Sequence, residues 1–408
     1  MKKILTLALC LTAVGSLSAQ KVNVEQAKKL SGKSDKLTEA RALINQAVAD
    51  PETANDVMTY YVGGKIEFDA YENAIKKRMI NPNDDSINPE EMAEQLMNGY
   101  KMYVKAMPLD QVPNAKGEVK PKYTKEMTKT LNSHFDDYFN AGGTFYNNKK
   151  YYPEAYEAFM VYGDMPAQEF AEKRVQAIGD SVRCTSYFNA GLSAYAGNSL
   201  PESAAAFKKA RMIGSDNAQN YIYELACWQY MAQKDESLAE EAKNQIEEIA
   251  LAGFNKFGMA QPIFLNNLVN SMVIENRFDD ALKLINSEIE KNPSANLYGL
   301  RGFVYDRMEK DAESVADYRT VASFENADFE SLKNACKKIF KTGTEKWNLI
   351  EGNSEQARAD RKDVKENYFE AALNIANRAK TMNGNDSDLD YVIENITYAL
   401  ETYFPNSK

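Results

Sequence analysis

The chain has 408 residues, a formal net charge of −10 and one histidine. A single histidine, His134, excludes HExxH zinc sites and His-His metal pairs, and an acidic chain without a long basic run is a poor partner for nucleic acid or anionic lipid. Of the four cysteines, Cys184, Cys227 and Cys336 lie far apart beyond the N-terminal apolar run, which excludes a complete disulfide framework and any CxxC pair; one bridge, or three buried thiols, are the remaining readings.

The N-terminus has the layout of a secretory signal peptide. Lys2 and Lys3 form a basic start, Ile4 to Val14 an apolar run, and Gly15, Ser16, Ser18 and Ala19 a small-residue end with cleavage after Ser18 or Ala19. The run is too short to span a bilayer, and a buried N-terminal helix is the alternative. Cys10 sits inside the run behind Leu7-Ala8-Leu9, where a lipid anchor would need small residues, so no anchor is expected. No later stretch approaches the ~20 apolar residues of a membrane span. Export to the periplasm is expected, with an outer-membrane-associated or extracellular position as the alternative.

Residues 20–108 read as helical repeats. Ala27-Lys-Lys-Leu-Ser-Gly32-Lys33-Ser34 resembles a relaxed phosphate-binding loop, but no strand precedes it and alanine replaces the first glycine, so a flexible basic leader is expected. Leu37, Ala40, Leu43, Ile44, Ala47 and Val48 form a helical stripe over 37–49, which Pro51 ends. Met58 to Gly64 follows, with Tyr60 as its large residue and Gly63-Gly64 as a small pair. Pro113, Gly117 and Pro121 make 109–121 the clearest loop or linker.

A repeat then dominates 122–326. Phe139-x-x-Gly142-Gly143-x-x-Tyr146 precedes Tyr152-x-x-Ala155-x-x-x-Phe159. Tyr187-x-x-Ala190-Gly191, with Tyr195 close behind, precedes Ser203-x-x-x-Phe207-x-x-Ala210. Leu265-x-x-Leu268-Val269-x-x-Met272 precedes Phe278-x-x-Ala281-x-x-x-Ile285, and Tyr298-x-x-Arg301-Gly302-x-x-Tyr305 precedes Ser314-x-x-x-Tyr318. A degraded copy fits between Tyr221 and Ile249. These segments resemble the tetratricopeptide repeat (TPR), in which small residues let two helices approach and large ones fill the seam. Ala281 and Ser314 are 33 residues apart, against the family's period of about 34. The resemblance implies an all-α fold, a right-handed TPR-like α-solenoid of antiparallel helix pairs. Residues 327–408 complete it as a helical repeat and cap: Glu355 to Lys380 as one long helix, and Leu389 to Phe404 as a capping helix behind Asn385, Asp386, Ser387 and Asp388.

No catalytic constellation emerges. Asp136-Asp137, Asp279-Asp280 and Glu247-Glu248 are adjacent pairs that diverge on a helix, GxSxG is absent, and His134 reads as a packing or surface residue. Asp386, Asp388 and Asp390 mimic a calcium loop, but Tyr391 and Thr397 occupy the positions that need Gly and a bidentate Glu. The chain therefore reads as a non-enzyme without metal or cofactor. The resemblance places a partner-binding groove on the first helix of each pair. Carried over residue by residue, it falls on Asn140, Thr144 and Asn147, then Phe188, Leu192 and Tyr195, then Asn266 and Asn270, and finally Phe303, Asp306 and Arg307. Asparagine amides can pair with a peptide backbone and aromatic faces can hold side chains or a sugar ring; the alternative is that these are solvated or packing groups. The Lys- and Arg-rich inner face that clamps carboxylates is missing. The expected function is an exported protein-binding scaffold for a protein or peptide of the cell envelope. The alternative is a glycan- or small-ligand-binding protein of an uptake system, and a hydrolase would need carboxylates converging in space.

Overall fold

The computed structural model describes residues 21–404 except 83, 85 and 115. The signal-peptide reading and Cys10 lie outside the described residues. The described residues form helices and connecting turns without a β-strand, and they divide into two compact units that meet in sequence between residues 239 and 240.

The first unit begins with helical residues 21–30 (α1), α2 (Leu37–Ala49), α3 (Val57–Ile80) and α4 (Pro89–Asp110). Val24 and Ala27 of α1 are buried in the core, so this segment is packed helix and not the flexible leader expected from its lysines. The loop-like motif is the end of that helix: Gly32 takes φ +77° and Lys33 N–H donates to Leu30 O at 3.1 Å. Helix α2 keeps the bounds of its stripe, and Thr53 Oγ donates to Ala47 O at 2.6 Å to close its end. Helix α3 is capped by Asp56, which accepts from Met58 N–H, and α4 by Asn88 ahead of Pro89. These two long helices pair through small residues, with Gly64 facing the Tyr103 ring and Gly99 facing Phe68.

Helix α4 runs through Pro108 to Asp110, and the loop after it is closed by that aspartate. Its carboxylate accepts from the N–H groups of Lys122 (3.0 Å), Tyr123 (2.7 Å) and Thr124 (2.7 Å) and from the Thr124 hydroxyl (2.8 Å). Burial alone would raise its pKa, but the four donors outweigh burial and hold the carboxyl below its ordinary value. A lowered carboxyl contributes stability above its unfolded pKa of about 4 and loses it as pH falls through the folded value. Asp110→Asn should therefore cost about 1 kcal/mol at neutral pH and nothing in strong acid, read by urea melts at both pH values. Equal cost at both would show that the charge is not what closes the loop.

The unit continues with α5 (Thr124–Ser133), α6 (Phe135–Asn147), α7 (Tyr152–Asp164), the single turn α8 (Lys173–Gln176), α9 (Asp180–Ala196), α10 (Leu200–Met212) and α11 (Ala218–Lys234). Successive helices pack as α6 on α7, α7 on α9, α9 on α10 and α10 on α11. The seams are built as the repeat predicts. Gly142 lies against Phe159, Gly191 against Phe207, and Ser203 Oγ donates to Gly191 O at 2.9 Å.

The second unit contains α12 (Ala239–Phe257), α13 (Pro262–Ile274), α14 (Phe278–Lys291), α15 (Ala295–Arg307), α16 (Asp311–Ser323) and α17 (Phe329–Asn348). It repeats the same seam: Gly302 lies against Tyr318, and Ser314 Oγ donates to Gly302 O at 2.9 Å. First helices also end alike in both units. Asn198, Asn276 and Glu309 take φ of 60°, 57° and 58°, and the next N–H reaches back to Ala194 O, Met272 O and Tyr305 O. This left-handed cap recurs at equivalent positions because the chain must reverse there to bring the second helix down beside the first. Shared seams and shared caps define TPR-like helix pairs.

Beyond α17 the helical run predicted over 355–380 is continuous, as α18 (Glu355–Asp363) and α19 (Ala371–Met382), but Val364–Glu370 between them is π-helical. The wider turn leaves the Asn367 carbonyl to accept from Arg319 Nη2 at 2.9 Å and sets Tyr368 and Phe369 against Gly343. The last helix, α20 (Ser387–Tyr403), packs on α19, and Tyr403 stacks on Trp347 at 4.6 Å. Asp386 caps it by accepting from Leu389 N–H at 2.7 Å. The calcium-like acids do not converge: Asp386 pairs with Lys333, Asp388 with Lys337 and Asp390 with Lys380. Cys184, Cys227 and Cys336 are buried thiols, and burial pushes Cys336 up to about 11.

Candidate groove in the first unit

Asn140, Thr144 and Asn147 follow one another at helical spacing on α6, so they share one face. Asn140 and Asn147 are exposed, and Thr144 is half-buried with its hydroxyl donating to Asn140 O at 3.0 Å. All three line a cleft of about 780 Å³. The facing wall is the last third of α3, where Tyr71, Ile75 and Arg78 recur at the same spacing, and Met92 of α4 closes one side. A smaller recess behind Asn140 and Thr144 reaches Pro89 and Leu96 at the start of α4.

The floor of the cleft is a polar network anchored by Asp137. Its carboxylate lies 2.9 Å from His134 Nδ1 and accepts the Tyr71 hydroxyl. Because a carboxylate only accepts, Nδ1 carries the proton. His134 is buried between the Phe68 ring (5.5 Å, stacked) and the Tyr71 ring (5.3 Å, edge-on), with Nε2 3.7 Å from Glu72 Oε1. Burial first, then the Asp137 charge and hydrogen bond, push the Tyr71 hydroxyl well above its ordinary value. Arg78 is exposed at the rim and makes no ion pair among the described residues. The neighbouring Asp136 turns away to Arg174 at 3.1 Å, so the two adjacent carboxylates diverge.

The other groove candidates sit in different surroundings. Phe188, Leu192 and Tyr195 on α9 are half-buried against α10 and α11, with Phe188 5.8 Å from Phe207 and Tyr195 5.7 Å from Tyr223. Phe188 also borders a recess of about 480 Å³. In the second unit Asn266 is half-buried with an unpartnered Oδ1, and Asn270 is exposed one turn on. Phe303 packs in the apolar cluster around Val304, Asp306 is bound by the buried Lys338, and Arg307 is exposed. The three α6 residues are brought together with α3 around one cleft. Tyr71 and Arg78, which complete it, went unnoticed in the sequence. The signal that could have found them is their own spacing with Ile75, which matches that of Asn140, Thr144 and Asn147.

A scan of protein-family models gives no match. A comparison with curated proteins gives none either. Among solved structures, the P58(IPK) TPR domain aligns with 95% of this chain and 99% of its own, at 12% identity and a TM-score of 0.28. Yeast Tom70 aligns with 96% of this chain and 97% of its own, at 12% identity and 0.26. The APC/C heterotetramer Cut9-Hcn1 aligns with 97% of this chain and 93% of its own, at 11% identity and 0.23. Scores of this size carry no argument, and the helix-pair assignment stands on the seams and caps described above.

Proposed function

We propose that this chain is an exported, non-catalytic bacterial scaffold that holds an extended segment of an envelope protein in the cleft between α3 and α6. The cleft supports this reading. It presents amides at one face, apolar side chains at its walls and one arginine without an ion pair among the described residues, all mounted on helices closely paired with a neighbour, α3 with α4 and α6 with α7. Amides match the N–H and C=O groups that an extended peptide repeats along its length. Groups held on rigid helices need little ordering on binding, which favours affinity. The basic start, apolar run and small-residue end of residues 1–19 support export to the envelope.

The test is crosslinking of the tagged protein in intact cells, with mass spectrometry of what it retains. One dominant protein partner, crosslinked to residues around 71–79 and 137–147, is the expected result. Asn140→Ala with Asn147→Ala should weaken that partner about tenfold while leaving the melting midpoint unchanged. Asn266→Ala with Asn270→Ala tests the second unit in the same way. Undiminished binding in the first double variant would remove the cleft from the reading, and retention of a glycan in place of a protein would replace the scaffold by an uptake protein.

A further inference from the structure

The segment that joins α4 to α5 departs from the charge of the rest of the chain. Residues 111–129 hold five lysines and two glutamates, a local charge of +3 in a chain of −10. Lys116, Lys120, Lys122, Lys125 and Lys129 are all exposed, and of these only Lys120 makes an ion pair among the described residues, with Glu118 at 2.7 Å. The other glutamate, Glu126, accepts the Tyr61 hydroxyl at 2.8 Å. Lys125 and Lys129 stand one turn apart on α5, on the side opposite the buried Met127 and Leu131. Two apolar side chains are exposed beside these cations: Val112 by 62% and Val119 by 49%.

The loop is built to hold its shape. Asn114 Oδ1 accepts from the N–H groups of Lys116 (2.8 Å) and Glu118 (3.1 Å), Asn114 N–H donates to Glu118 O at 3.0 Å, and Gly117 turns the chain at φ +76°. At the base, Asp110 holds the N–H groups of 122–124, and Gln111 Nε2 donates to Thr124 Oγ1 at 3.2 Å. These bonds bring Val112 and the start of α5 to one place, so the valines and the lysines form one surface. Apolar side chains ringed by ammonium groups suit a boundary where an apolar interior lies beneath a layer of anions, which is how a bilayer of acidic lipid is built. A solvated polyanion would answer the lysines alone, whereas beneath lipid phosphates the valines also leave water.

We propose that this loop docks the protein on the surface of an anionic phospholipid bilayer, with Val112 and Val119 entering the headgroup boundary and the lysines meeting lipid phosphates. The acidity of the whole chain does not prevent it, because at physiological salt exposed charges more than about 8 Å apart are largely screened from one another. The surface is separate from the α3–α6 cleft. Met92 at the start of α4 borders the cleft and Asp110 at its end closes the loop, about 27 Å away along the helix. Docking therefore leaves the cleft free, and it is read without any protein partner.

Cosedimentation with lipid vesicles tests the proposal. The protein is used without residues 1–19, whose apolar run would itself take up lipid; every described residue lies beyond them. Vesicles of phosphatidylcholine with roughly one-third phosphatidylglycerol should retain it at about 50 mM salt and release it at about 500 mM. Pure phosphatidylcholine should bind it at least about tenfold more weakly. The triple variant Lys116→Gln, Lys120→Gln, Lys122→Gln should weaken binding to the acidic vesicles at least about tenfold. Lys173→Gln, Lys283→Gln, Lys310→Gln changes the net charge equally at exposed sites elsewhere and should leave binding unchanged. Val112→Ser with Val119→Ser changes no charge and should weaken binding about fivefold to tenfold. All substituted side chains are exposed, so the melting midpoints should stay at the parent value. Three results would each overturn the proposal. Failure to bind the acidic vesicles at low salt would leave the loop to an acidic protein partner. An equal loss in the charge-matched control would show that net charge alone is read. Unchanged binding of the valine variant would show that the loop does not enter the boundary.

Discussion

Glu224→Leu should destabilise the first unit by about 3–5 kcal/mol, the largest effect expected from any single polar substitution in the chain. Glu224 on α11 is fully buried, and Arg211 on α10 is nearly so. The guanidinium donates twice to the carboxylate, from Nε at 2.8 Å and from Nη2 at 3.1 Å. Two parallel bonds from a planar fork use the geometry that suits arginine best. Forming the pair required stripping water from both ions, so its net worth is modest. Removing one partner is costly because the other charge stays in the same dry seam. For a domain of this size the loss should lower the melting midpoint by on the order of 10 °C. The double variant Arg211→Met with Glu224→Leu should recover most or all of that loss, because neither charge then remains. Thermal and urea melts of the single and double variants decide the matter. A single variant within about 1 kcal/mol of the parent would mean that the pair is not what locks α10 to α11.

This pair also shows what the sequence could and could not convey. Repeat landmarks are small and large residues at fixed spacing, and seams such as Gly191 on Phe207 depend on little else, so they were legible. Helix ends were legible where a cap or a proline marks them, as at Pro51 and Asp386. Arg211 and Glu224 are charged residues in helices, a pattern that ordinarily means solvent, and nothing in their spacing says that one seam buries both. The cleft was half legible for a related reason. Asn140, Thr144 and Asn147 follow from the repeat register, whereas Tyr71 and Arg78 lie on α3, a helix of 24 residues whose length departs from the repeat. The π-helical turn at 364–370 was hidden because a periodic stripe tolerates one wide turn without losing its buried face.

Gly142 and Gly143 are neighbours on α6, yet alanine should have opposite effects at the two positions. A Cβ on Gly142 would lie 2.7–2.8 Å from three ring atoms of Phe159, closer than real Cβ contacts come. Phe159 is 3% exposed and stands edge-on to Phe139 at 5.2 Å, so its ring has nowhere to swing. Gly142→Ala must therefore push α6 and α7 apart, an overpacking cost of about 1–3 kcal/mol that the better helix propensity of alanine only partly offsets. A Cβ on Gly143 meets nothing within 4 Å, so Gly143→Ala keeps only the propensity gain, about 0.5–1 kcal/mol of stabilisation. Urea melts of the two variants should thus shift in opposite directions, with a spread between them equal to the overpacking cost, about 1–3 kcal/mol. Two equal stabilisations would place the close seam elsewhere on α6, and the repeat register would move with it. Because Gly143 borders the α3–α6 cleft while Gly142 faces the seam, the same pair separates stability from binding: Gly142→Ala should act on the fold, and Gly143→Ala, if it affects anything beyond stability, should act on the partner.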